Sequence, residues 1–143
     1  MSMNSILNHN RVILCHYDTY SSALLFARFE QSVLAPSPLP EESRGCAAPD
    51  SVNGDYDPGS TLTAVAEQFG LDTKQMNLMD KFNQWCDGPN GAIRIHLARF
   101  NTFEAPHASL QAVGAVFKPI SDLRSCPMIE LNFLRQAFTL FIG

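Results

Sequence analysis

Four short stretches hold the residues whose types and spacing could do chemistry. Cys15-His16 sets a thiol beside an imidazole, and a nucleophilic thiol needs a base or a cation to hold it as thiolate. Glu104-x-x-His107 has the i, i+3 spacing that on a helix aims a carboxylate and an imidazole at one metal ion. His16 would complete a two-histidine, one-carboxylate set with them. Arg94 and His96 alternate along one run and Arg99 follows; a guanidinium can grip a carboxylate or phosphate with two parallel bonds. His16, Arg94, His96, Arg99, Glu104 and His107 are therefore the ligand-binding candidates, with no residue assigned a catalytic role.

Each candidate also has a plain structural reading. Neighbouring residues on a strand point to opposite faces, so Cys15 and His16 do not partner each other; Cys15 reads as a small buried hydrophobe. His16 can instead meet an acid such as Asp18. Glu104 suits the positive end of a short helix, with His107 at the surface. Asp55-x-Asp57 fails as a calcium loop, because no glycine stands sixth and no glutamate twelfth from Asn53 or Asp55. No GxSxG, HExxH, P-loop or GxGxxG pattern occurs. No metal or cofactor is expected, and whether the chain is an enzyme stays open.

These residues need elements to position them. Gly91–Glu104, GAIRIHLARFNTFE, reads as a central strand after the turn chemistry of residues 87–91. Ile93, Ile95 and Leu97 alternate with Arg94, His96 and Ala98, which is the period of a strand. Arg99 falls on the apolar parity. That predicts either a bulge near Ala98 or an acid beside Arg99, from among Glu104, Asp122 and Glu130. Residues 11–17, RVILCHY, read as a strand covered on both faces. A helix is expected over 20–34, stopped by Pro36. Residues 36–59 carry five prolines and no period, and read as a long loop. Helices are expected over 61–69, with Ser60 as cap and Gly70 as stop, and from Asp72 to Cys86. A two-turn helix over 107–113, a strand over 115–118 and an amphipathic helix over 127–142 complete the chain.

Strands separated by helices predict an α/β domain, a small mixed or parallel three-stranded sheet packed with about five helices, with α+β as the alternative. At 143 residues, 1–143 reads as a single globular domain. A parallel sheet would gather ligands beyond the carboxyl ends of its strands. A formal charge of −4 with scattered basic residues argues against nucleic acid. No apolar run is long enough to span a membrane, and the first residues lack the pattern of a secretion signal. With no CxxC pair among four cysteines, free thiols in a reducing cytoplasm are expected. The leading functional expectation is a non-catalytic cytoplasmic interaction or accessory protein, working through a protein partner or a homo-oligomer. The motives are the broad apolar face of the last helix and a charged fraction of only 17%. The alternative is a small enzyme or anionic-ligand-binding protein with an Arg/His/Glu site at the end of strand 92–102.

Overall fold

The computed structural model describes residues 3–142. Its centre is a pair of parallel strands, β1 (Asn10–Asp18) and β7 (Gly91–Phe100), joined in register from Asn10↔Arg94 to His16↔Phe100. The two longer strands of the sequence reading are therefore present, adjacent and parallel, and its third, 115–118, is present at the sheet's edge. The sheet around them is larger than expected. It has eight strands: β2 (Ala23–Phe29), β3 (Leu34–Ala35), β4 (Arg44–Cys46), β5 (Met76–Leu78), β6 (Gln84–Gly88) and β8 (Ala115–Pro119) join the central two in the order β4-β6-β7-β1-β2-β8. Here β3 also pairs with β1, and β5 with β7. Four helices accompany it among the described residues: α1 (Met3–Leu7), α2 (Pro58–Phe69), α3 (His107–Gln111) and α4 (Met128–Ile142). This corrects the three-stranded, five-helix expectation. Every strand pairing except β1·β7 is antiparallel.

Two segments account for the correction. The helix expected over 20–34 is β2, a turn and β3. Leu24 and Phe26 join the core on one face of the sheet, while Leu25 and Ala27 pack with the core on the other. A strand covered on both faces is apolar at successive positions, so its period of two disappears and helical spacings arise by chance. Ser22 and Glu30, both with φ of +58°, mark the turns that a helix would not contain. The second segment is Asp72–Cys86. Asp72 does cap, but what it caps is a single 3-10 turn, its carboxylate accepting the Lys74 N–H at 2.9 Å. The chain then runs into β5 and β6. Both lie on the same edge of β7, β6 along its first half and β5 along its last three residues. Gly91, with φ of +112°, closes the β6–β7 hairpin.

The helices that were expected elsewhere are present with shifted ends. α2 begins at Pro58 with Asp57, not Ser60, as its cap, and stops at Gly70 in the left-handed region. It lays Leu62, Val65 and Ala66 on one face of the sheet, against Val12, Leu14, Ala98 and Phe100. α4 covers the other face with Phe133, Leu134 and Ala137 against Ile13, Cys15, Ile95 and Leu97. The sheet is thus the middle of three layers, which is why β1 is buried from Asn10 to His16.

Polar side chains lock this frame. The Arg11 guanidinium is 6% exposed and donates to the carbonyls of Leu7, Asn10 and Ser37, at 2.6, 2.9 and 2.9 Å. Asn10 Nδ2 donates to the carbonyls of Ile6 and Asp55, and Tyr56 Oη donates to the Ala92 carbonyl. Those bonds hold the long 36–59 segment against the sheet; its only strand is β4. On the far side Glu130, 1% exposed, fastens α4 to the turn before β3. Its two oxygens accept from the Val33 N–H at 2.8 Å and the Ser32 hydroxyl at 2.9 Å.

Burial holds the Glu130 carboxyl above its ordinary range, opposed by those two bonds. A raised folded-state value makes this group favour folding at acid pH, an effect lost as pH rises through that value. We expect Glu130→Ala to cost about 2–3 kcal/mol, since it leaves two buried donors without acceptors. Glu130→Gln should instead gain on the native protein between pH 4 and 7. Urea unfolding across that range checks both; parallel stability curves for the native protein and the Gln variant would contradict the buried-carboxylate account.

Candidate functional site

The six candidate residues fall in three places. His16, Glu104 and His107 line one cleft of about 390 Å³, together with Asp18, Ala23, Leu25, Phe103 and Ala105. Arg94 and His96 line a smaller cavity of about 220 Å³ near the start of α2, with Asp80 and apolar neighbours. Arg99 stands on the opposite face of the sheet from His16, Arg94 and His96, since it shares the parity of Ile95 and Leu97, and it lines a third cavity with Tyr17, Asp18, Tyr20 and Phe103.

Arg99 resolves the phase conflict in a way the sequence did not show. The β1·β7 register runs unbroken past Ala98 to Phe100, so no bulge resets it. The guanidinium lies over two rings, 5.5 Å from Tyr17 and 5.6 Å from Phe141 at the end of α4. Stacking on ring faces supplies the favourable electrostatics that an acid was expected to provide. Of the acids proposed for it, Glu130 is committed to Ser32 and Val33.

His96 is a structural histidine. It is 3% exposed, and its Nε2 lies 2.7 Å from Asn10 Oδ1. Asn10 spends its amide hydrogens on two carbonyls, so its oxygen faces the ring and Nε2 carries the hydrogen. Burial, with the nearby Arg94 charge, pulls its pKa down to about 3. Arg94 donates from Nη1 to the Tyr56 carbonyl at 3.2 Å and lies over the Trp85 ring at 5.5 Å. Its Nε is buried with no partner. Asp80 on the wall of the same cavity offsets the charge that an anionic ligand would need.

The larger cleft sits beyond the carboxyl ends of the two parallel strands, the location that sheet topology favours for ligands. β1 brings His16 and Asp18 to it on one parity, and the turn after β7 brings Phe103 and Glu104. His16 is 3% exposed, and its Nε2 lies 2.8 Å from the Thr102 carbonyl. A carbonyl only accepts, so in the neutral ring Nε2 is the donor and Nδ1 the acceptor. Among the described residues Arg94 Nε is the buried side-chain atom left without a partner. His16 Nδ1 has none either, so its small exposed surface opens on the cleft. Asp18 accepts from the Tyr20 N–H at 2.9 Å, which holds its carboxyl below the ordinary value. His107 packs its ring edge-on against Phe117 at 5.4 Å. Among the described residues no three His, Cys, Asp or Glu side chains come together as metal ligands, so His16, Glu104 and His107 share a cleft without forming the triad. Cys15 faces the opposite core, and burial pushes its thiol up to about 12.

Sequence reading missed the two aromatic residues at this rim. Tyr20 is 87% exposed and Phe103 80% exposed, their rings 6.2 Å apart and edge to face. Tyr20 falls at the start of the helix expected over 20–34. Phe103 was read as the tail of a strand that in fact ends at Phe100. The signal was the strand end itself: an apolar ring just past it, in a turn, has no core to enter.

No family model and no curated protein matches the chain. Its chemistry has to be read from the site itself.

The neutral, buried His96 has a consequence for stability. A histidine whose folded pKa is depressed stabilises the fold above its unfolded value, near 6.5, and that contribution is lost as pH falls toward 3. The full shift is worth at most about 4–5 kcal/mol. We expect the native protein to lose stability from pH 6.5 to 4, and His96→Gln to show a flatter profile. Chemical unfolding at each pH checks this. Equal slopes would mean that His96 takes up its proton in the folded state.

Proposed function

We propose that the protein is a non-catalytic interaction protein, cytoplasmic in setting, whose docking face is the loop end beyond β1 and β7. The observation that carries this reading is the Tyr20–Phe103 pair. Two large rings from separate chain segments touch each other and leave most of their surface to solvent. Exposed aromatic clusters are costly in water and are enriched at the centres of binding surfaces.

Further features favour docking over chemistry. His16 holds a backbone carbonyl with one ring nitrogen, and His107 is seated on Phe117. A general acid–base pair needs two groups within hydrogen-bond reach of one reacting atom; these two are held by different partners, the Thr102 carbonyl and the Phe117 ring. The apolar face of α4, which first motivated an interaction role, is largely spent on the sheet: Phe133, Leu134 and Ala137 are buried. Docking is therefore argued from the loop end, while α4 keeps Met128, Leu140 and Ile142 as exposed outliers.

The test places a photoreactive benzoylphenylalanine at Phe103, and separately at Val116, which is 44% exposed. Irradiation in cells of the natural source should give a discrete adduct from position 103 and none from 116. The adduct's mass tells a foreign partner from a second copy. No adduct at 103, or the same adducts from both positions, would refute this docking face.

A further inference from the structure

The chemistry lining the cleft identifies what the loop end takes. We infer that it binds a basic side chain, lysine or arginine, presented by an extended segment of a partner protein. This rests on the docking reading above and adds the partner's chemistry to it.

The lining is acceptor-rich and carries no lysine or arginine. Asp18 and Glu104 supply carboxylates from two different segments. His16 adds an acceptor from a side chain that is almost wholly buried and fixed, its Nε2–H committed to Thr102 and its Nδ1 turned to the opening. His107 completes the wall. No lysine or arginine neutralises either carboxylate within the cleft: Asp18 receives backbone N–H and serine hydroxyl bonds with His16 as its basic neighbour, and the walls beside Glu104 carry neither residue type. Arg99, the nearest cation in sequence, is stacked on Tyr17 and Phe141 and lines the neighbouring cavity with Asp18, Tyr20 and Phe103, not this cleft. An ammonium or guanidinium brings three to five donors and no acceptor, the complement of such a wall.

The aromatic rim points the same way. Ring faces attract cations, and aromatic surfaces beside carboxylates are a recurrent means of holding alkylammonium and guanidinium groups. A cleft of about 390 Å³ exceeds what a single ammonium head needs, leaving room for the methylene stem. Tyr20 and Phe103 extend beyond the cleft and offer apolar surface to the residues on either side of that side chain. For that reason the occupant is a peptide segment, not a free amine.

The experiment titrates the full, isotope-labelled chain with three probes while its backbone amide resonances are followed. These are acetylated and amidated Gly-Lys-Gly-Arg-Gly, the same peptide with norleucine and citrulline in place of its charged residues, and n-butylammonium. We expect the basic peptide to move the amides of residues 18–21 and 102–105, with both other probes at least tenfold weaker. Asp18→Asn with Glu104→Gln should weaken the basic peptide at least tenfold while the rest of the spectrum is unchanged. Asn keeps the oxygen that caps Tyr20, so this variant should fold. Tyr20→Ala should weaken it several-fold with the carboxylates intact. Equal binding of the neutral peptide would overturn the cationic assignment and leave the docking face standing. Equal binding of n-butylammonium would overturn the peptide occupant. No response at these loops to the basic peptide would overturn the inference, whereas loss of the docking face itself is read separately from the cross-link at position 103.

Discussion

The hydrogen-bond ladder between β1 and β7 is the constraint on which the rest of this structure depends. A parallel pair cannot be closed by a short hairpin; here more than seventy residues separate the two strands. Everything between them must return the chain to the same edge in the right register. The polar anchors near the strand starts serve that end. Arg11 ties the start of β1 to α1 and to the proline-rich segment, and Asn10 links His96 of β7 to the same segment through Asp55. Each of these groups is buried and satisfied, so removing one strands its partners.

The same ladder positions the candidate site. Because the strands run in one direction, both reach their carboxyl ends on the same side of the sheet. His16 lies opposite Phe100, so the turn after β7 starts beside the last residues of β1. Thr102 then accepts from His16, and that bond sets the turn's height above the sheet. Phe103 and Glu104 follow directly, next to Asp18 and Tyr20. The exposed rings therefore stand on a base buried from Asn10 to His16. A binding surface on such a base loses little ordering entropy when a partner arrives.

The sequence made the two central strands plain, because turn residues bound one and a continuous apolar run marks the other. It also pointed to the end of strand 92–102 as the place for any site, and marked Arg99 as anomalous. It hid the rest of the sheet for a physical reason. β2 is apolar on both faces, and β5 and β6 are three and five residues long, too short for periodicity to show. Asp72 gave a true capping signal, yet a cap does not state how long the helix after it will be, and the cap expected at Ser60 is supplied by Asp57. The site was legible as residue types and not as geometry. Glu104, His16 and His107 share a cleft, while Arg94 and His96 lie apart from it, bonded to Tyr56 and Asn10. Arg99 needed tertiary knowledge of Phe141 that no local pattern carries.

The account makes β1 and β7 the last part of the molecule to open. Native-state hydrogen exchange in increasing denaturant tests that claim most directly. The amides of Val12 to Cys15 and of Ile95 to Ala98 should exchange only with the free energy and denaturant dependence of global unfolding, while that of Phe103 exchanges freely. Exchange of the β1 or β7 amides through a smaller opening, while β2 and β8 stay protected, would contradict it.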